Sequence, residues 1–190
     1  MRYTMGLLRS RLETGLTQVA MLACAVLSAA ASGPGLMGLA PAASADLGTW
    51  PTYRNDQYGF ELRYPPDYAI VQPRQRPQLA PLFRVWFKEA ALASSPIADR
   101  EPSQFAVDVY DNASQRPLDT WLVTSGAARG LARVAREAVQ VGGVQGLRLT
   151  DQMMLAPNTF YYFARGPFVY RFTPLGRFSD QMLASVRFTA

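Results

Sequence analysis

The sequence predicts an α+β fold with a mainly antiparallel β-sheet and a few helices. Segments in which apolar and polar residues alternate recur in both halves of the chain, which is the pattern of half-buried strands. Glycine turns join neighbouring segments as hairpins. Helical segments occur singly between the strands, so the regular strand–helix alternation that is typical of a parallel sheet is missing.

The first 45 residues have the order of a removable export signal. Arginines at the start precede an apolar, alanine-rich run from Val19 to Ala31, and small residues follow up to Ala45. The run is shorter than the roughly twenty residues that a helix needs to cross a bilayer. We therefore predict that residues 1–45 are cleaved and that the mature protein is periplasmic or extracellular.

Two other uses of the leader remain open. An uncleaved leader would anchor the protein through Val19–Ala40, although Pro34 interrupts that stretch. Lipidation at Cys24 would make a lipoprotein. The position of Cys24 argues against this use, because a lipidated cysteine closes the apolar run, whereas Cys24 lies inside it.

The mature part is predicted to be one domain, since about 145 residues typically form a single core. Residues 46–57 form an exposed lead-in, and the domain covers residues 58–190. Its first half holds three alternating strands and one helix, which begins at a proline and has Asp119 in its first turn. These elements are Tyr58–Tyr64, Phe83–Lys88, Gln104–Tyr110 and the helix Pro117–Ser125.

The second half of the domain is predicted to contain two hairpins, a short helix and a last strand. Gly142-Gly143 and Gly166-Pro167 are the hairpin turns. Residues Ala127–Arg133 either extend the first helix or form a separate turn. The predicted elements are Arg136–Val141, Gly146–Met153, Thr159–Arg165, Phe168–Thr173, the helix Phe178–Ala184 and the strand Ser185–Thr189.

The charge and residue types exclude several function classes. The chain has 19 basic and 14 acidic residues, and cleavage of the leader would leave a net charge of +3. This charge is mild, and no basic run or phosphate-binding glycine loop accompanies it, so we expect no nucleic-acid partner. There is no histidine, and the one cysteine lies in the leader. Zinc sites and histidine-dependent catalysis are therefore not expected.

Carboxylate chemistry is the catalytic alternative that remains. Pairs such as Asp108 with Asp111 lie at strand ends, where a solvated surface is the ordinary interpretation, and no aspartate-rich loop has EF-hand spacing. We predict no catalytic residue, no metal site and no cofactor. The protein is accordingly predicted not to be an enzyme.

Three stretches of the mature part resemble the PsbP family and its bacterial relatives. They are a Gly-Phe strand that runs into a Tyr-Pro stop, a glycine hairpin turn, and a helix that leads into a final Ser-x-x-Phe strand. In this chain they are Tyr53–Pro65, Val141–Gly146 and Phe178–Phe188.

The resemblance implies an α/β/α sandwich around an antiparallel sheet and an extracytoplasmic protein that binds a partner without transforming it. Photosynthetic members are extrinsic subunits of photosystem II that support its calcium and chloride requirement. That role is not carried over, because the metal ligands proposed for the plant proteins include histidines and this chain has none.

Strand alternation predicts that the face of the sheet opposite the core is basic and partly aromatic. The structural interpretation is that its arginines pair with Glu61 and Asp108 under a helix or loop. The functional interpretation is a surface for an acidic partner or lipid headgroup in the cell envelope. This face is predicted to carry Glu61, Arg63, Arg84, Trp86, Lys88, Asp108, Tyr110, Arg148, Thr150, Arg171 and Arg187.

An aromatic cluster in the second pair of hairpin strands is predicted to be core, although Tyr161 and Tyr170 could line a pocket. The predicted partner-binding residues are Arg63, Arg84, Trp86, Arg148, Tyr161, Tyr170 and Arg171. The loops Gln72–Pro81 and Ala90–Ser103 are the second candidate region.

Three hypotheses on function follow. The preferred one is a non-enzymatic extracytoplasmic binding or assembly factor, with peripheral membrane association allowed. The second is a carboxylate-based hydrolase, which requires two acids in one cleft. The third is a structural envelope protein that self-associates through an edge strand.

Overall fold

The computed structural model describes residues 47–73, 81–98, 100–125 and 134–189. The predicted export signal, Cys24, the segment Ala127–Arg133 and most of the loop Gln72–Pro81 lie outside these residues. No helix in the described ranges has both the length and the apolar character required to span a bilayer.

A seven-stranded antiparallel sheet forms the centre of the domain and confirms the predicted α+β class. The strand order is β3-β4-β5-β9-β8-β7-β6, and every neighbouring pair is antiparallel. The seven strands are β3 (Tyr68–Val71), β4 (Phe83–Glu89), β5 (Phe105–Asp111), β6 (Ala135–Val141), β7 (Val144–Thr150), β8 (Thr159–Arg165) and β9 (Phe168–Pro174).

A second, three-stranded sheet has the order β1-β2-β10 and consists of Thr52–Asn55, Phe60–Arg63 and Arg187–Phe188. Its first strand lies in the segment that the sequence predicts as an exposed lead-in, so that prediction needs correction. The Tyr53 ring lies 5.6 Å from the Phe87 ring and is partly buried against the core. Burial of the Tyr53 ring stabilises the pairing of β1 with β2. The sequence does not predict this strand, because the alternation of these four residues is too brief.

Two further short elements were not predicted. Strand β3 follows the Pro65-Pro66 stop, and the single-turn helix α1 (Ala90–Ala93) lies in the predicted loop Ala90–Ser103. Strand β3 has no clean alternation of burial, and α1 is one turn long, so neither has a strong periodic signal.

Helices α2 (Leu118–Thr124) and α3 (Ser179–Ser185) lie close to their predicted positions. Helix α2 buries Trp121 and Leu122, while α3 buries Met182 and Leu183. These side chains enter two different hydrophobic clusters on opposite faces of the large sheet. We call these faces the α2 face and the α3 face.

Both faces of the large sheet are therefore buried along its inner strands, whereas the outer strand β6 is mostly exposed. The cluster on the α3 face is the larger and is mainly aromatic; its fully buried members include Phe60, Leu62, Phe87, Phe105, Phe163, Phe172 and Met182. The cluster on the α2 face contains Trp121, Leu122, Leu149, Phe160, Tyr162 and Val169. The predicted aromatic cluster is thus core, divided between the two faces by the alternation of β8 and β9.

Gly146 of β7 has no room for a side chain. It is opposite Phe163 of β8, and an added Cβ would lie 2.6 Å from Cε1 of that ring and closer still to the backbone carbonyl of Tyr162. We expect Gly146→Ala to lower the free energy of unfolding in urea by about 1–3 kcal/mol, because a carbonyl held in the sheet cannot move away.

The control is Gln145→Ala, at the exposed neighbouring position, for which a change within about 0.5 kcal/mol is expected. Equal free energies of unfolding for Gly146→Ala and the unchanged protein would contradict this packing of β7 on β8.

Candidate functional site

Strand register separates the predicted binding residues into several groups. Arg84 lies opposite Asp108, and Asp108 lies opposite Arg171, so these three share the α2 face. Arg148 lies opposite Tyr161, which lies opposite Phe172 of the α3-face cluster. The prediction that Arg148 shares a face with Arg84 and Arg171 is therefore corrected.

The reason is that the large sheet has two buried faces. Alternation with one apolar and one polar face predicts Leu147 and Leu149 in the main core, on the side opposite Arg148. Both leucines instead pack on the α2 side, which turns Arg148 and Thr150 to the α3 face. Glu61, Arg63 and Arg187 belong to the small sheet and are not part of either face of the large sheet.

Asp108 is the centre of a charge network on the α2 face. Its side chain is 2% exposed, and its two carboxylate oxygens accept hydrogen bonds from Nε of Arg84 and from Nε and Nη2 of Arg171. The Arg171 guanidinium also lies over the rings of Tyr110 and Phe160, at 5.6 and 5.7 Å. The network connects strands β4, β5 and β9. It supports the structural interpretation of Arg84 and Arg171, in which they pair with Asp108 inside the protein.

Burial and charge act on the titrating groups around Asp108. Burial lowers the pKa of Arg171, but the Asp108 carboxylate and the neighbouring tyrosines outweigh it and the pKa is raised. Burial raises the pKa of Tyr110, and Asp108 raises it further, while Arg171 and Arg84 lower it by less. Arg171 therefore stays charged and Tyr110 neutral throughout the physiological range.

Trp86 and Lys88 extend the same face of β4. Lys88 is fully buried, and its Nζ donates hydrogen bonds to the carbonyl oxygens of Ala98 and, at 2.7 Å, Glu101. The ammonium also lies 5.0 Å from the centre of the Trp86 ring. Lys88 therefore holds the loop after α1 against the sheet and is not available to a partner.

Arg148 and Tyr161 line an open cleft on the α3 face, with a volume of 290 Å³, which we call the Arg148 cleft. Its polar lining comes from β7, β8 and the start of α3, and its rim includes two prolines and a leucine. The other lining residues are Pro157, Asn158, Thr159, Pro174, Leu175, Gly176, Ser179 and Asp180.

The polar groups of the Arg148 cleft differ in their availability. Nη1 of Arg148 lies 3.2 Å from Oε2 of Glu137, whereas its Nε is buried and has no hydrogen-bond partner among the described residues. Asp180 is exposed and forms no ion pair within the described ranges. The hydroxyl of Ser179 donates to Gly176 O at 2.7 Å and accepts from Leu175 N at 3.0 Å, so it is occupied.

Tyr161 lies between these charges. Burial raises the pKa of Tyr161, the nearby Arg148 lowers it, and Asp180 and Glu137 raise it. Its phenol is therefore neutral, and it can donate a hydrogen bond into a cleft that has one cationic and one anionic side chain in its lining.

The loop between β7 and β8 forms an apolar tip beside the Arg148 cleft. Strand β7 ends at Thr150, not at the predicted Met153, and Asp151 N donates to Asn158 O at 2.8 Å where the loop closes. Met153 and Leu155 are 94% and 92% exposed. This tip is not predicted from the sequence, because the predicted strand Gly146–Met153 includes Met153.

Tyr170 and Arg63 lie apart from the Arg148 cleft. Tyr170 is buried in the α3-face cluster, where its hydroxyl donates to Tyr58 O at 2.7 Å, so it forms no open pocket with Tyr161. Arg63 lines a separate cleft of 380 Å³ beside the small sheet, together with Glu61 and Arg187, and its guanidinium donates to Leu47 O.

In the part of the chain that the structure describes, no three histidine, cysteine, aspartate or glutamate residues lie close enough together to hold a metal ion.

Comparison with known proteins returned structural likenesses only. No protein-family model matches the chain, and no curated protein matches it. Among solved structures the chain is similar to cyanobacterial PsbP (CyanoP) from Synechocystis sp. PCC 6803, with a TM-score of 0.46, 14% identity and coverage of 79% of this chain and 98% of that one. CyanoP belongs to the family that the three sequence stretches resemble.

A second similar structure is a crystal structure of a protein from Bacteroides thetaiotaomicron VPI-5482. The TM-score is 0.37 and the identity 11%, over 73% of this chain and 48% of that one.

We expect Asp108→Asn to lower the free energy of unfolding by about 3–5 kcal/mol, because it leaves two largely buried guanidinium groups without a counter-charge. Urea unfolding at neutral pH measures this. Asp119→Asn is the control, since Asp119 pairs with Arg136 at 3.4 Å on the exposed surface and should contribute less than about 1 kcal/mol. Similar losses in the two variants would contradict the structural interpretation of the Asp108 network.

The raised pKa of Tyr110 predicts a loss of stability in alkali. A tyrosine whose pKa is raised by folding contributes its full stabilisation below its ordinary pKa, and this contribution falls as the pH rises above about 10. Tyr110→Phe removes the titrating group. Urea unfolding from about pH 8 to pH 11 should therefore show a shallower loss for Tyr110→Phe than for the unchanged protein; parallel losses would contradict the prediction.

Proposed function

We propose that this protein is a non-enzymatic extracytoplasmic binding or assembly factor, and that the Arg148 cleft is its binding site. One observation carries the proposal: Arg148 and Tyr161, two of the predicted binding residues, lie opposite each other on β7 and β8 and open onto one cleft. The leader sequence is the support for an extracytoplasmic location.

Arg148 can exchange its present partner for a ligand, whereas Arg84 and Arg171 cannot do so easily. The ion pair of Arg148 with Glu137 is largely solvent-exposed, and such pairs contribute at most about 1 kcal/mol. The side chains of Arg84 and Arg171 are 32% and 21% exposed, and they share the buried carboxylate of Asp108. Their removal from Asp108 would leave a buried charge uncompensated.

The hydrolase alternative requires two acids that converge in one cleft. Three clefts lined by described residues each have a single carboxylic acid in the wall: Asp180, Glu61 or Asp56. Asp108, the most buried acid of the described residues, is occupied by two arginines. These placements favour binding over carboxylate catalysis.

The self-association alternative would use an outer strand of the large sheet. Strand β6 is the longer of the two outer strands, and it carries Arg136 and Glu137 side by side. Charged residues on an outer strand are a common protection against edge-to-edge pairing. The sequence of β6 thus argues against this alternative.

Site-specific photo-crosslinking in the cells that make the protein tests the cleft as a binding site. A photoreactive amino acid replaces Asn158 in the full chain, and the captured partner is quantified with and without Arg148→Gln. Loss of one charge-assisted hydrogen bond should reduce capture by about tenfold or more.

Arg54→Gln is the matched control, because Arg54 is also an exposed strand arginine that pairs with neighbouring acids, Asp56 and Glu61. It should leave capture unchanged. Equal capture by Arg148→Gln and Arg54→Gln, with equal urea midpoints, would overturn the assignment of the Arg148 cleft.

A further inference from the structure

The Arg148 cleft and the apolar tip share the loop between β7 and β8. Pro157 and Asn158 line the cleft, and Leu155 precedes Pro157 by two residues on the same loop. Leu175, which is exposed, also lines the cleft. A molecule that occupies the cleft is therefore bordered by apolar side chains.

The charges in the cleft suit a ligand that carries both signs. Arg148 offers a guanidinium that is 41% exposed and whose Nη1 is bound to Glu137 in an exposed ion pair, and guanidinium groups bind phosphate oxygens well. Asp180 offers an exposed carboxylate outside any ion pair of the described chain. A purely anionic ligand would meet Asp180 and would compete with Glu137, whereas a neutral zwitterion satisfies both charges.

The shape of the tip indicates what surrounds the ligand. Met153, Met154 and Leu155 are consecutive, and the outer two are almost fully exposed. A projecting apolar tip needs a matching cavity in order to bind a protein partner. It needs no such cavity to enter the boundary between the headgroups and the acyl chains of a bilayer. Exposed apolar residues grouped in this way are typical of interaction sites.

We infer that the Arg148 cleft binds the phosphoethanolamine headgroup of a membrane lipid while Met153 and Leu155 enter the bilayer surface. The headgroup phosphate lies against Arg148, and the ammonium donates hydrogen bonds to Asp180. Phosphatidylcholine has the same net charge, but its quaternary ammonium has no N–H to donate. The inference rests on the proposed function, since it names the ligand of the same cleft.

Methionine-methyl NMR of the full chain tests the inference. The protein, labelled at its methionine methyl groups, is mixed with phosphatidylcholine bicelles that contain a spin-labelled lipid, with or without phosphatidylethanolamine. The Met153 and Met154 signals should broaden, and more strongly with phosphatidylethanolamine. Met182, which is fully buried in the core, is an internal control and should stay sharp whatever the leader does.

Variants separate the two parts of the surface. In the double variant Leu155→Gln and Met153→Gln, the lipid concentration needed to broaden the Met154 signal to the same extent should rise by about tenfold or more. The reason is that two apolar side chains are no longer transferred from water to the bilayer. Arg148→Gln and Asp180→Asn should each abolish the preference for phosphatidylethanolamine. Val123→Gln changes an exposed apolar residue of α2 and should have no effect.

Several results would overturn the inference. The first is that the Met153 and Met154 signals stay sharp at every lipid concentration. The second is equal broadening with and without phosphatidylethanolamine, or an undiminished preference in the Arg148→Gln and Asp180→Asn variants. Binding of free phosphoethanolamine by a protein that does not contact bicelles would also contradict the inference, because the ligand would then not be a membrane lipid. Partner capture at Asn158 would in each case still stand, so failure of the inference is distinct from failure of the proposed function.

Discussion

Burial of the large sheet on both faces is the constraint on which the rest of the structure depends. The small sheet and α3 cover one face, and α2 covers the other. The central strands β5, β8 and β9 therefore have few positions at which a polar side chain reaches water. Any charge at the remaining positions must be neutralised within the protein, because an unpaired buried charge costs several kcal/mol.

Asp108 shows how this constraint acts on charged residues. It faces α2 from the middle of β5, and Arg84 and Arg171 supply its counter-charges from the strands on either side. Lys88 meets the same requirement through backbone carbonyls of the loop after α1. The surface that the sequence predicts to be basic is in large part a network of buried ion pairs and hydrogen bonds. Charged side chains that could bind a partner lie at the edge of the elements that cover the sheet.

The Arg148 cleft lies at such an edge. Residues of β7 and β8 line it together with residues at the start of α3. Arg148 and Tyr161 come from the sheet and Asp180 from the helix, so the cleft combines elements far apart in the sequence. The apolar tip is a local feature of the β7–β8 loop, and its position beside the cleft follows from the hairpin.

Local patterns in the sequence were sufficient for the α+β class, both hairpins and the two longer helices, because period-two alternation, glycine turns and helix ends are properties of neighbouring residues. They also indicated Arg148 and Tyr161 as candidate binding residues, and their role in binding stays a prediction. Only the tertiary structure decided which face each residue occupies, because alternation defines two sides of a strand and does not tell which side is covered. With both sides covered, Arg84 and Arg171 became structural partners of Asp108, and Arg148 moved to the opposite face, where it lines the open cleft.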